Sequence, residues 1–379
     1  MNLPNASAET TSAGRRYLLA TDRYVAHFGE QRTALLNDAE AFYRELKWIN
    51  LPQRPVIPPV SPQMEINELI DLIFASTDGL AVGETLDRIA STRFMIENMP
   101  KFARHIKTLY VRGLLSDFAQ DDLNHFYLSG DMSEDLSTYL SSLGTDPENR
   151  FNMLELIRAA QANGVRVHGL DAAETCTLKV PLTSIEEQMI KARLATQIME
   201  RDKLLNRPGK WVALVDATNT NTFRDLPGIS ELRGGIGLRI EEIWPDEAAD
   251  VRIDPGVEVA RGPFHNGATT SNAFDPLFAD LRLQVKAPVP PWNDATLEKL
   301  LHRNGMFVIR KTAPGTYTLV RRNSASNIVQ TRVHCTADGR FYIWDQSMRR
   351  ITGMIFRDIA AVAERLIELG MTLQSRLPT

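Results

Sequence analysis

The sequence predicts an α/β domain with a mostly parallel sheet flanked by helices, followed by a small α+β domain with a central antiparallel sheet between two helices. Three observations carry this. From residue 65 onward, short apolar runs alternate with helical stretches of ten or more residues, which requires crossover connections. After residue 305 the strand-like runs follow one another closely, with no helix between them. Between the two regions stands a proline-rich mark, APVPPW at 287–292.

The elements follow in order. Residues 1–15 are small and polar and read as a disordered start. Residues 16–48 read as helical: Leu35, Leu36, Phe42, Tyr43 and Leu46 recur at roughly helical spacing. LPQRPVIPPVSPQ at 51–63 holds five prolines, so it reads as an extended connector. It also contains PxxP spacings of the kind that serve as ligand motifs. The α/β domain spans 64–245. Its strand-like runs are 80–84, 108–111, 165–171, 211–216 and 236–243. Its helices are expected near 90–106, 117–129, 133–143, 152–163 and 184–204. Gly164 follows a helix where a left-handed cap is needed. Residues 246–288 carry the turn signals DPG and HNG; VRI and VEVA read as a hairpin, followed by a connector. The last domain spans 289–379, with strands expected in 305–312, 316–322, 328–333 and 339–344 and a closing amphipathic helix.

Composition narrows the function classes. The chain has 379 residues, 43% hydrophobic and 24% charged, enough for one large domain or two ordinary ones. A net charge of -4 predicts no general affinity for nucleic acid. Two cysteines far apart give neither a disulfide framework nor a zinc spacing. No apolar run is long enough to span a membrane, and the N-terminal stretch lacks the apolar core of a secretory signal. No phosphate-cradling glycine motif follows a strand, since GGIG at 234–237 precedes one.

In parallel sheets ligands sit beyond the carboxyl ends of the strands. That rule selects Glu84, Arg112, Asp171 and Asp216, with Asn219 and Asn221 just after the fourth strand.

The segment LAVGETLDRIASTRFMIENMPKFARHIKTLYVRGLLSD, with GVRVHGLDAA at 164–173 and KWVALVDATNTNTFRDLPGISELRGGIGLRIEEI at 210–243, resembles the erythromycin-esterase/ChaN/TIKI superfamily. In particular it is similar to the domain of bacterial membrane-targeted effector toxins. The resemblance spans roughly residues 35–245 and implies a hydrolase-like fold. Active members place a Gly-Glu-x-His motif after the first strand, a Glu-His pair after the second and a further His later. Histidine there serves as metal ligand or base near neutral pH. This chain keeps Gly83 and Glu84 but has Leu86 at the histidine slot, Arg112-Gly113 in place of the pair, Asn219 at the later histidine position and Asp216 in place of a glycine. Two readings of the surviving set follow. In one, Glu84, Asp171, Asp216 and Asn219 form a degenerate site with no cofactor, and Arg112 neutralises Glu84 or Asp216. In the other, the four are hard oxygen ligands for Mg²⁺, Mn²⁺ or Ca²⁺ in an active hydrolase with a rearranged carboxylate site.

The C-terminal pieces Trp292 with DATLEKLL, GMFVIRKT, TYTLVRR, IVQTRV and GRFYIW resemble a Src-homology-2 domain. That family aims the arginine of a Gly-x-Phe-x-x-Arg strand at phosphotyrosine, and the matching residues are Gly305, Phe307 and Arg310. A guanidinium fork suits a phosphate bidentately. The resemblance implies Thr312 at the start of the phosphate loop and Arg332 flanking the pocket, in a basic neighbourhood with Lys311 and Arg322. Asp294 stands near the family's second arginine, and Gln330 or Thr331 replaces its strand histidine. The expected partner is a phosphotyrosine-containing or otherwise phosphorylated protein. The expected role is that of a secreted bacterial effector, delivered to a host cell without a cleaved signal peptide and otherwise cytoplasmic.

Overall fold

The structure is a computed structural model. It describes residues 28–84, 90–143, 151–176, 184–206, 209–243, 247–260, 274–286, 307–313, 316–322, 328–335 and 341–344. The expected disordered start, Leu86, and both expected helices of the C-terminal domain lie outside these residues. The chain divides into two compact units: Met1–Glu241 with Asp250–Leu283, and Glu242–Ala249 with Gln284–Thr379.

The first unit opens with helix α1 (Phe28–Glu45) and α2 (Ile66–Ser76). Strand β1 (Gly79–Glu84) leads to α3 (Ala90–Phe102), then β2 (Thr108–Leu115), α4 (Ser116–Ser129), α5 (Glu134–Ser142) and α6 (Met153–Ala162). Next come β3 (Arg166–Asp171), the long α7 (Ser184–Asn206), β4 (Trp211–Asp216), the short α8 (Ile229–Arg233) and β5 (Ile236–Ile243). Strands β6 (Val251–Ile253), β7 (Val257–Ala260), β8 (Phe274–Leu277) and β9 (Leu281–Lys286) follow. The main sheet has the order β3-β2-β4-β1-β5-β9-β6. Strands β3, β2, β4, β1 and β5 are mutually parallel, as the alternation of strands and helices predicts.

These strands are apolar almost throughout because both faces are covered. On one face Ala81, Tyr110, Trp211, Ala213 and Val215 form a buried cluster with Ala195 and Met199 of α7 and Ile229 of α8. The alternate residues Leu80, Val82, Leu109, Val111, Val212 and Leu214 point the other way and are equally buried. Helix α3 packs on β1 and against α6, and α6 packs on β3. Gly164 sits after α6 at φ 67°, the left-handed cap that the sequence calls for.

The structure differs from the sequence reading at the expected hairpin. VRI and VEVA do not pair as a hairpin: β6 pairs antiparallel with β9, and β7 with β8. A turn signal fixes where the chain bends but not which strand it meets next. The proline-rich segment 51–63 is extended, as its composition predicts, and is tied into the α/β unit. Arg54 donates to both oxygens of Asp280 at 2.5 Å and pairs with Glu231 at 3.3 Å, and the Pro62 carbonyl accepts from the Val251 N–H.

In the second unit, β10 (Phe307–Ala313), β11 (Thr316–Arg322), β12 (Ile328–Cys335) and β13 (Phe341–Trp344) pair antiparallel in that order. The irregular register along β10 falls between Val308 and Arg310 and between Lys311 and Ala313.

Candidate functional site

Strand order locates the site. From β2 the chain moves outward to β3; from β4 it moves the other way, past β1 to β5. The connections therefore diverge between β2 and β4, and the divergence opens a crevice at their carboxyl ends. A small cleft lies there, lined by Arg112, Asp171, Lys191 and Asn219 over an apolar floor that includes Leu170, Ala195, Val215 and Ile229. The space within it open to a water-sized group is about 10 Å³, room for about one water molecule.

Local chain geometry sets each polar group. Gly113 adopts φ 82° where β2 bulges between Val111 and Leu115, and its N–H donates to Asp171 Oδ2 at 2.7 Å. Arg112 forms an ion pair with Asp216 across the strand ends. Lys191, projecting from α7, approaches the other oxygen of Asp216 at 3.8 Å and pairs with Glu187. Lys191 holds the Glu187 carboxyl below its ordinary range, although burial alone would raise it. Asn219 follows β4 in a single 3-10 turn (Ala217–Asn219) and is 4% exposed. The loop carrying it is packed under Gly228, whose Cα lies against the backbone of residues 219–221. A methyl group there would stand 2.7 Å from the Asn219 carbonyl oxygen. Gly228→Ala is therefore expected to cost about 1–3 kcal/mol, measured by urea unfolding, because backbone yields less than a side chain.

The candidate residues thus divide. Arg112, Asp171 and Asn219 line one cleft, with Asp216 held at its edge by Arg112. Glu84 is the Cα partner of Asp216 on the neighbouring strand but does not line the cleft. It accepts from Thr92 Oγ1 at 2.8 Å. Burial pushes its carboxyl above the ordinary range, against the pull of Thr92 and Arg112. Asn221 is turned away and donates to Glu231 at 3.0 Å. Lys191 is the residue that sequence reasoning missed. Four residues after Glu187 it reads as half of an exposed helical pair, yet its side chain is only 14% exposed. Among the described residues, no group of three or more His, Cys, Asp or Glu side chains is gathered as a metal site.

In the C-terminal sheet, Arg310, Thr318, Arg332 and Trp344 are successive Cα partners across four strands. Lys311 falls in the adjacent row opposite Tyr317, Thr312 at the second register shift, and Arg322 opposite Ile328 at the far end of β11.

Solved structures that resemble the chain are bacterial toxin effector domains and a ChaN protein. One is RRSP, a MARTX toxin effector domain from Vibrio vulnificus CMCP6, at 21% identity and TM-score 0.40, over 47% of this chain and 36% of that one. The type III effector HopBA1 matches at 12% identity and TM-score 0.40, over 60% of this chain and 97% of its own. ChaN of Campylobacter jejuni matches at 11% identity and TM-score 0.35, over 58% and 91%. The chain spans about a third of the RRSP structure's length. No protein-family model and no curated protein sequence matches it. Among the described residues, no helix is long and apolar enough to cross a membrane.

Proposed function

We propose that the protein is a secreted, effector-like bacterial protein delivered to a host cell. In this reading its α/β unit is a non-catalytic scaffold, and its C-terminal domain, Src-homology-2-like, captures a phosphorylated partner. The observation that carries the scaffold half is the Arg112–Asp216 ion pair. Active members of the superfamily that the sequence resembles have a Glu-His pair where Arg112 and Gly113 stand and a glycine where Asp216 stands. Here the Arg112 guanidinium and the Lys191 ammonium lie against the Asp216 carboxylate. A divalent cation fits such a site poorly, because two positive groups already lie against its central ligand.

The partner half rests on the Gly305-x-Phe307-x-x-Arg310 motif and on the cross-strand row that sets Arg310 and Arg332 either side of Thr318. Two arginines two strands apart span about 10 Å, the scale on which a phosphate and its flanking residues are gripped. The Src-homology-2 resemblance adds Lys311, Thr312 and Arg322 as further basic and hydroxyl groups. The full chain is expected to bind phosphotyrosine peptides and not their unphosphorylated forms. Arg310→Ala should weaken that binding about 10- to 100-fold, the loss of a charge-assisted bidentate contact. Equal binding of phosphorylated and plain peptides, unchanged in the variant, removes the reading.

One observation favours the alternative, an active hydrolase with a rearranged carboxylate site. Glu84 is half-buried beside Thr92, and desolvation raises its carboxyl pKa, the direction a general acid requires. Hydrolysis of ester or amide substrates by the wild type, lost in Glu84→Gln, would establish it.

A further inference from the structure

The proline-rich segment 51–63 is fastened along one side and open along another. Proline fixes φ at five of its positions, and each residue before a proline is driven to extended backbone. Leu51 enters it at φ -69° and ψ 150°, the geometry of a polyproline helix. That helix has three residues per turn, so residues three apart share an edge. Burial follows this period. Arg54, Ile57 and Val60 are partly covered, and so is Pro55, while Pro58 is buried. Gln53, Val56, Pro59 and Pro62 are all exposed, Val56 to 84%. Arg54 anchors the covered side through Asp280 and Glu231. Just before the segment, Trp48 and Ile49 are exposed to 60% and 88%. Among the described residues, no backbone group of residues 52–60 takes part in a backbone hydrogen bond, so the carbonyls along the edge are available as acceptors.

We propose that this open edge is a docking ridge for a partner protein that reads polyproline through a groove walled by tryptophan and tyrosine. Three features select that chemistry. The ridge holds no ionisable group, so it offers nothing to a charged site. Its side chains recur about 9 Å apart, a spacing that suits aromatic rings set along a groove. Its carbonyls accept from the indole N–H and phenol O–H groups that such rings present. Strand addition is excluded, because the prolines remove the backbone donors that a ladder needs. The Arg54 anchor orders the ridge in advance, so it loses little conformational freedom on binding. Trp48 and Ile49 mark one end of the ridge and give it a direction.

The full chain is titrated into isotope-labelled SH3, WW and EVH1 domains, and the aromatic side-chain signals of each groove are followed by NMR. Saturable micromolar binding to at least one of them is expected, displaced by an oligoproline peptide. Val56→Asp and Pro59→Asp should each weaken it about tenfold or more, because a carboxylate loses its water against aromatic walls. Both positions are exposed, so the unfolding midpoints should match the wild type. Leu128→Asp, at an equally exposed position on α4, should leave binding unchanged. Phosphopeptide capture plays no part here, so Arg310→Ala should leave it unchanged as well. Absence of saturable binding to all three domains overturns the proposal. So does an unchanged affinity in both ridge variants, or an equal loss in Leu128→Asp, which would mark general apolar adhesion. If the ridge variants fail to fold, competition on the wild type decides, and binding that oligoproline does not displace overturns the proposal.

Discussion

Asp254→Ala is expected to lower the free energy of unfolding by about 3–5 kcal/mol, the cost of leaving a buried charge without its partner. Asp254 is fully buried at its side chain and takes a two-pronged contact from Arg239, at 2.8 Å from Nε and 2.5 Å from Nη2. It also accepts from the backbone N–H groups of Gly256 and Ala279, each at 2.9 Å. One carboxylate therefore joins β5, the turn before β7 and the turn before β9. Removing it strands a guanidinium that is 9% exposed, and two backbone donors lose their acceptor. Since a domain is stable by only about 5–15 kcal/mol, a loss of this size consumes about a fifth of the total or more. Denaturant unfolding of the variant beside wild type checks it; a change under about 1 kcal/mol would mean the pair is dispensable.

Asp202→Ala should have a comparable effect at the opposite end of the sheet. The Asp202 side chain is 1% exposed and accepts from Tyr110 Oη at 2.7 Å, from Asn206 at 2.7 Å and from Arg166. Loss of the carboxylate leaves the Arg166 guanidinium without its counter-charge and the Tyr110 hydroxyl without its acceptor under α7, again about 3–5 kcal/mol. Tyr110→Phe, which removes one hydrogen bond and no charge, should cost only about 1 kcal/mol. A double-mutant cycle that finds the two changes additive would overturn the shared network.

Both carboxylates make stability fall in acid. Burial alone would raise their pKa values, but the hydrogen bonds from Arg166 and Tyr110 at Asp202, and from Arg239 and Gly256 at Asp254, outweigh it and leave both below the ordinary value. The folded state therefore binds fewer protons than the unfolded chain. The stability is complete above the unfolded value near 3.8 and drains away as pH falls through the lower folded values. His168 adds to the same trend: burial holds it below 6.5, so stability begins to fall below that pH. Glu84 acts in the opposite sense, because its raised pKa favours the protonated, folded form at low pH.

The sequence by itself determined the parallel sheet. Runs such as WVALVD, buried on both faces, can only be central strands, and Gly164 marks its helix end because a left-handed cap admits little else. It also determined which positions reach the strand ends, since Glu84, Arg112, Asp171 and Asp216 close their own runs. Tertiary structure alone decided how those positions associate. Arg112 meets Asp216 and not Glu84 because β4 inserts between β2 and β1, an order that no local pattern encodes. Lys191 enters the cleft only because α7 lies along the sheet and brings a residue twenty positions before β4 to the end of that strand. The DPG signal at 254–256 reads correctly as a turn, yet its aspartate is the most buried anion of the ion pairs described here, satisfied by an arginine 15 residues earlier and a backbone N–H 25 residues later. Turn chemistry depends on a residue and its neighbours, whereas burial of a charge depends on partners that only the folded chain brings within reach.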